Sequence, residues 1–136
     1  MSVALEEAES SRLENSSKCI ALRNKLFASL SERIDGVHIN GDLHQRLPNN
    51  VNVSFEGIES EPLLMALDLN GIYASSGSAC SAGSLEPSHV LRAMKFPDVR
   101  SRASLRLSLS SKTTEDELEQ VINVLAEQVS RIRELM

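Results

Sequence analysis

Strict alternation of apolar and polar residues over 103–110 is the feature that most narrows the folds open to this chain. In this stretch, ASLRLSLS, every second residue is apolar and the residues between are serine or arginine. Because successive side chains of a β-strand point to opposite faces of a sheet, the pattern predicts a strand with one buried and one polar face. A sheet built from such strands needs a cover on its apolar face only.

A similar strand and two long helices complete this arrangement. The stretch VNVSF at 51–55 alternates in the same way. Apolar residues at three- and four-residue spacing predict an amphipathic helix over 3–34, with Gly36 as its stop. Thr114 and Glu117 have the spacing of a capping box, which predicts the start of a final helix. The apolar stripes of the two helices contain Cys19, Leu22, Leu26 and Leu30, and Leu118, Val121, Ile122, Leu125, Val129 and Ile132.

Shorter elements connect these parts of the chain. The stretch VHING at 37–41 is expected to be extended, and Ser60 is expected to cap a helix. The stretch IYAS at 72–75 is predicted to form a short strand. Pro87 suits the first turn of a further helix, and 96–100 is predicted to be a loop.

These elements predict an α+β fold, in which a small, mostly antiparallel sheet is covered on one face by helices in a two-layer arrangement. With 136 residues the chain is long enough for one domain with a core and too short for two. We therefore predict that residues 1–136 form a single domain. Cys19 lies on the buried stripe of the first helix, and we interpret it as a core residue.

Charge and hydropathy exclude several classes of partner and location. The net charge of -5 gives no electrostatic case for binding nucleic acid or an anionic membrane. No stretch reaches the roughly 18 apolar residues that a transmembrane helix needs. The segment from Met1 to Ser10 lacks the basic and apolar parts of a secretory signal. The two cysteines do not suggest a disulfide framework, so we expect a reducing compartment, either the cytoplasm or an organelle matrix.

One cysteine lies in a run of very small residues. Cys80 is flanked only by serine, glycine and alanine over 75–83. No neighbouring side chain is bulky enough to bury it, so we predict an accessible and reactive thiol. Arg106 lies mid-strand among serines and could present its planar guanidinium to a carboxylate, although a solvated surface arginine is the alternative. These two residues could act on one small substrate, with Cys80 attacking and Arg106 anchoring.

Three longer stretches carry a resemblance to a known family. They are GVHINGDLHQRLPNNVNVSFEG at 36–57, GIYASSGSACSAGSLEPSHVLRAM at 71–94 and SRASLRLSLSSKTTEDELEQVINVL at 101–125. Over nearly its whole length the chain resembles the C-terminal small domain of a cysteine desulfurase, a pyridoxal-phosphate enzyme of the class-V aminotransferase type. The long SSGSAC loop is similar to that of the desulfurases that supply iron-sulfur cluster assembly.

The resemblance implies a function as well as a fold. The fold would be that of the C-terminal domain of fold-type I pyridoxal-phosphate enzymes. Complete enzymes take sulfur from L-cysteine and leave L-alanine, so the resemblance makes Cys80 the nucleophile that becomes a persulfide. It makes Arg106 the residue that binds the substrate carboxylate. The sulfur would pass to acceptors such as iron-sulfur scaffold proteins, and the complete enzyme would be a homodimer.

The resemblance also implies that the cofactor is held outside this chain. Pyridoxal phosphate requires a lysine for its Schiff base, and in the family that lysine belongs to a large domain upstream of this segment. The four lysines of the chain, Lys18, Lys25, Lys95 and Lys112, lack the sequence context of that residue. We therefore expect the chain alone to bind no cofactor and to be inactive.

Other functions remain open from the sequence. The chain could be a non-catalytic persulfide carrier or a protein-interaction module that uses Cys80. The stretch GSACSAGS could cradle a phosphate, but it lacks the Gly-Lys-Ser/Thr ending of a nucleotide-binding loop. A metal site built from the cysteines and His38, His44 and His89 matches no zinc spacing, so no metal is expected. His89 is predicted to lie on a helix surface.

Overall fold

The computed structural model of the chain describes residues 2–76 and 88–135, in which helices pack on a small sheet. The helices are α1 (Ser2–Arg33), α2 (Ser60–Leu69), α3 (His89–Ala93), α4 (Asp98–Arg102) and α5 (Glu115–Leu135). The strands are β1 (Val37–Ile39), β2 (Asn50–Phe55) and β3 (Ser104–Ser108).

The strands of the described residues form one antiparallel sheet in the order β1, β2, β3. Between β2 and β3, Val53 lies opposite Leu105, and Asn52 lies opposite Arg106. Because side chains alternate along a strand, the valine and leucine share one face while the asparagine and arginine share the other. The predicted α+β fold with a small antiparallel sheet is confirmed.

The apolar face of the sheet is covered by α1, α2 and α5, and this interface is the core. Val53 and Leu105 are fully buried at its centre. Burying a side chain of this size stabilises a fold by about 1.5–3 kcal/mol, so this face dominates the packing energy. The helices contribute fully or almost fully buried side chains, which include Leu26, Leu30, Leu63, Leu67, Ile122 and Leu125.

Only the second half of α1 belongs to this core. Its buried residues run from Cys19 to Leu30, whereas none of residues 2–18 is buried. The first half is rich in glutamate and serine and has no apolar stripe that could pack on the sheet. The helix ends at Arg33, and Gly36, with φ 67°, turns the chain into β1. Cys19 is a core residue, as the sequence predicts.

A capping box starts α5, as predicted. The backbone N–H of Thr114 donates to Glu117 Oε2 at 2.8 Å, and the backbone N–H of Glu117 donates to Thr114 Oγ1 at 3.2 Å. These bonds satisfy two of the N–H groups that a helix start leaves unpaired. An ion pair between Lys25 and Glu115 joins α1 to the same end of α5.

The prediction of a strand over 72–75 is wrong, because the backbone of this stretch pairs with the sheet at a single bridge. Ser75 alone pairs with β3, and it does so at Arg106. The backbone N–H of Ile72 donates to the carbonyl oxygen of Leu67 and so closes the end of α2 instead of joining the sheet. The stretch therefore forms backbone hydrogen bonds with β3 only at its last residue.

Two helix starts also differ from prediction. The loop predicted over 96–100 contains the start of α4, with Pro97 at the N-cap position and Asp98 in the first turn. Proline and an acidic residue at a helix start are favourable, and the helix is too short to show an apolar period. Ser60 is the first residue of α2 rather than its cap, which is Glu59.

One end of the polar face of the sheet lies under α4. Ser54 and Ser104 project from this face and are almost fully buried. Ser54 Oγ donates to the carbonyl oxygen of Arg100 at 2.8 Å, and Ser104 Oγ donates to that of Ser101 at 2.8 Å. Serines on this face therefore anchor α4, and the other end of the face stays accessible.

Candidate functional site

A pocket of about 310 Å³ opens at the accessible end of this face. Asn52 and Arg106 form part of its sheet wall. Asn40 and Arg46, from the loop that follows β1, form part of the facing wall. Amide and guanidinium groups thus lie beside Val90, Leu91 and Met94 in a cavity large enough for a small molecule.

Arg106 is held on a rigid element at the edge of this pocket. It lies in the middle of β3, and its backbone N–H donates to the carbonyl oxygen of Ser75 at 2.6 Å. The backbone N–H of Ser75 donates back to the carbonyl oxygen of Arg106 at 3.1 Å. Within residues 2–76 and 88–135, no side chain or carbonyl pairs with the Arg106 guanidinium. The side chain is half-buried and available to a ligand.

The two residues that flank the segment 77–87 both line the pocket. They are Ser76, which follows the bridge to β3, and Ser88, which precedes α3. Cys80, the predicted nucleophile, lies outside the described residues, and so does the stretch GSACSAGS, the alternative phosphate loop. The structure therefore brings Arg106 together with the two residues that flank the segment containing Cys80.

Arg46 is a second cation in the pocket wall, and no sequence pattern identifies it. Its guanidinium lies 4.8 Å from the centre of the Phe27 ring, and Nη2 donates to the carbonyl oxygen of Asn40 at 3.0 Å. Its Nε and Nη1 are buried without a hydrogen-bond partner in the described structure. Burial, and then the nearby Arg23, lower the pKa of Arg46, whereas Asp42 raises it.

A buried arginine of α1 holds the loop that carries Arg46. Arg23 is 5% exposed, and its Nη1 donates to the carbonyl oxygen of Leu47 at 3.2 Å. Its Nη2 contacts the carbonyl oxygen of Leu43 at 3.5 Å. Because a guanidinium has several donors in one plane, a single side chain can hold two points of the loop.

Asp42 is the acidic residue among the described lining residues, and it stabilises the loop itself. Its Oδ1 accepts backbone N–H bonds from Gln45 at 2.6 Å and from His44 at 2.7 Å. These two bonds lower the pKa of the Asp42 carboxyl, and the bond from Gln45 has the larger effect. The charges of His44 and Arg46 lower the same pKa by smaller amounts. The carboxylate therefore orders the loop that forms one wall of the pocket.

The remaining candidate residues do not join Arg106. Cys19 is 5% exposed in the core. His38 lies opposite Ser54, at the end of the polar face near α4, and pairs with Glu56 at 2.6 Å. His44 is exposed, and His89 lies exposed at the start of α3, as predicted. Neither a potential metal-binding group of three side chains nor a helix able to span a membrane occurs in the described part of the chain.

The lysines also lie away from the pocket. Lys18 on α1 donates to the carbonyl oxygen of Ser111, and Lys25 pairs with Glu115. Neither these two nor Lys95 and Lys112 appear among the described residues that line the cavity. The residues of this chain therefore do not fit covalent attachment of pyridoxal phosphate, which needs a lysine amine at the site.

Comparison with known proteins identifies the family. The sequence model of the family "Aminotransferase class-V" matches residues 1–121 of the chain. The chain belongs to the class-V aminotransferases. A cysteine desulfurase IscS from Clostridium botulinum is 46% identical over 134 residues, which are 97% of this chain and 34% of the relative. A cysteine desulfurase NifS from Azotobacter vinelandii is 43% identical over 133 residues, which are 98% of this chain and 33% of the relative.

Solved structures show the same relationship for this class-V aminotransferase chain. A NifS-like protein superposes with a TM-score of 0.80 at 30% identity, over 94% of this chain and 31% of that one. A NifS-like protein from Rickettsia africae superposes with a TM-score of 0.76 at 27% identity, over 89% of this chain and 31% of that one. The chain thus spans about a third of the length of the relatives it matches.

Proposed function

We propose that the chain supplies two groups to the active site of a cysteine desulfurase. Cys80 accepts sulfur from L-cysteine, and Arg106 binds the carboxylate of the same substrate. The complete enzyme releases L-alanine and passes the sulfur of the Cys80 persulfide to acceptors such as iron-sulfur scaffold proteins. It works as a homodimer in the cytoplasm.

The observation that carries this proposal is the position of the Arg106 guanidinium in the pocket wall, where no side chain or carbonyl of residues 2–76 and 88–135 pairs with it. A guanidinium presents parallel N–H groups that match the two oxygens of a carboxylate. A rigid β-strand fixes the direction of this fork better than a loop would. The names of the relatives point to L-cysteine, an amino acid whose carboxylate suits such a fork.

The position of Cys80 in the sequence supports its role as the partner of Arg106. Cys80 follows Ser76 by four residues, and Ser76 lines the pocket. Four residues span at most about 14 Å, so Cys80 is tethered within reach of a small molecule in the pocket. The small residues on both sides of Cys80 suit a thiol that must first meet the substrate and then an acceptor.

The proposed reaction transfers one sulfur atom. The Cys80 sulfur, as a thiolate, attacks the sulfur of L-cysteine, and a sulfur–sulfur bond forms. The bond between that sulfur and the β-carbon breaks, and its electron pair remains on the carbon. Protonation of this carbon gives L-alanine, and Cys80 is left as a persulfide, so no external oxidant or reductant is needed.

The cofactor belongs to the part of the complete enzyme outside this chain. Enzymes of this family depend on pyridoxal phosphate, which supplies the electron sink for cleavage next to the substrate's α-carbon. The lysines of this chain do not line the pocket, so we assign to this chain only the sulfur acceptor and the carboxylate anchor. The absence of lysines from the described pocket lining also favours a second candidate function for the chain alone, that of a persulfide carrier.

A chimera tests the proposal. In this chimera the chain replaces the matching third of the Clostridium botulinum cysteine desulfurase, and L-alanine formed from L-cysteine is measured. C80A is expected to abolish alanine formation, whereas C19A, the same change at a buried position, is expected to retain it. R106A is expected to lower kcat/KM about 100-fold through loss of a charged, bidentate contact.

Controls separate a failed site from a failed assembly. R131A removes an arginine from an exposed position of α5 and should leave kcat/KM unchanged. The visible absorption of bound pyridoxal phosphate reports whether the chimera is assembled. An assembled chimera that forms no alanine, or one in which C80A stays active, would refute the proposed function.

A further inference from the structure

A hydrogen bond from Arg100 fixes the orientation of an asparagine at the pocket. Arg100 Nε donates to Asn40 Oδ1 at 2.8 Å, and Nη2 donates to the carbonyl oxygen of Ile39 at 2.9 Å. Stacking over Phe96, with 4.2 Å from Cζ to the ring centre, holds the guanidinium in place. Since a guanidinium can only donate, Asn40 must turn its side-chain oxygen toward Arg100 and its amide nitrogen away.

The amide nitrogen of Asn40 in turn fixes Asn52. It donates to Asn52 Oδ1 at 2.8 Å and to Ser54 Oγ at 2.7 Å. Ser54 accepts this bond because its own hydroxyl hydrogen goes to the carbonyl oxygen of Arg100 at 2.8 Å. The side-chain oxygen of Asn52 is therefore committed to Asn40, and its amide nitrogen points to the opposite side.

The topology of the sheet puts that nitrogen beside Arg106. Asn40 follows β1, and its backbone N–H donates to the carbonyl oxygen of Asn52 at 2.9 Å, on one side of β2. Arg106 lies directly opposite Asn52 on the other side of β2, a pairing that brings Cβ atoms to about 4.5–5.5 Å. In the described part of the chain nothing accepts a hydrogen bond from Asn52 Nδ2.

We propose that Asn52 is a second binding residue for the carboxylate that Arg106 holds, and that Arg100 is a positioning residue that acts through Asn40. The inference rests on the proposed function of the same pocket. Among the described residues, the Asn52 amide N–H₂ and the Arg106 guanidinium therefore present donors on one face of the sheet, and no acceptor pairs with either group. Such a pair binds an oxygen anion and disfavours a cation, because a carboxylate has enough lone pairs to accept from both side chains.

The test titrates the ¹⁵N-labelled chain with acetate, the simplest carboxylate, and follows side-chain N–H signals by NMR. The Asn52 amide and the Arg106 Nε–H signals are expected to shift together with one dissociation constant. N52D keeps an oxygen for Asn40 and replaces the donor by a negative oxygen, so acetate binding should weaken at least about tenfold. N49D adds the same charge at an exposed position outside the pocket and should change binding less than about twofold.

Two further variants test the positioning role of Arg100. R100M removes the donor to Asn40. The side-chain amides of Asn40 and Asn52 can then exchange the positions of their oxygen and nitrogen, so acetate binding should weaken severalfold. R100K keeps a group that can only donate, and it should restore much of the binding. A purely structural role would instead lower the unfolding midpoint of both variants and leave acetate binding equal in the two.

Several outcomes would overturn the inference. The wild-type chain would fail to bind acetate, or acetate would shift the Arg106 signal without shifting the Asn52 signal. Equally, the N52D variant would bind acetate as tightly as the wild type. Failure of the proposed function has a different signature, because an assembled chimera would then form no alanine although the chain binds acetate.

Discussion

Leu30→Ala tests the packing of α1 against the sheet. Leu30 is fully buried in the core cluster that also contains Val53 and Leu105. The change removes three carbon atoms, and at about 0.8 kcal/mol for each the lost transfer free energy is about 2.4 kcal/mol. The cavity left behind adds to this, so the free energy of unfolding should fall by about 3–4 kcal/mol.

Urea denaturation followed by far-ultraviolet circular dichroism measures this loss. For a domain of this size the slope of unfolding free energy against urea is about 2 kcal/mol per molar. The midpoint should therefore fall by about 1.5–2 M relative to wild type. A domain with about 5–15 kcal/mol of stability should remain folded without urea.

Leu13→Ala is the matched control on the same helix. Leu13 is 71% exposed, so its replacement should change the free energy of unfolding by less than about 0.5 kcal/mol. A loss below about 1 kcal/mol in L30A would refute the assignment of this face to the core. A loss in L13A equal to that in L30A would refute the division of α1 into an exposed first half and a packed second half.

Three other changes test separate features. T114A removes the hydroxyl of the capping box and should cost about 1 kcal/mol by the same urea titration, and an unchanged midpoint would contradict the assigned cap. Backbone N–H donors hold the pKa of Asp42 below its ordinary range, so the stability it provides is complete above about pH 4 and is lost as the pH falls through the folded pKa. D42N should thus be less stable than wild type at neutral pH, with a difference that shrinks in acid; a constant difference would exclude this titration. In the native chain, iodoacetamide should modify Cys80 much faster than the buried Cys19, and equal rates by peptide mass mapping would contradict the predicted accessibility.

Local patterns in the sequence are enough to predict the sheet and its cover. The alternation in β2 and β3 indicates which side of each strand is buried, and Val53 and Leu105 meet on that side. The stretch over 72–75 is different, because its residues favour a strand while the end of α2 takes the N–H of Ile72. That competition depends on tertiary contacts that no local pattern contains.

The candidate site also contains both predictable and unpredictable residues. Arg106 is predictable, because a charged residue on the polar face of a regular strand is visible in the alternation. The orientation of the Asn52 amide is not predictable, because it depends on Asn40, which follows β1, and on Arg100 in α4, and these two residues meet only in the folded chain. Arg46 is equally hidden, since its burial against Phe27 requires the loop to fold back on α1.

The location of the transferred sulfur tests the central claim most directly. The chimera is treated with L-cysteine and digested, and the masses of the peptides that contain Cys80 and Cys19 are measured. We expect the mass of one additional sulfur atom on the Cys80 peptide only, and much less of it in R106A. Sulfur on Cys19, or alanine formation without sulfur on Cys80, would contradict the proposal that this chain carries the sulfur acceptor.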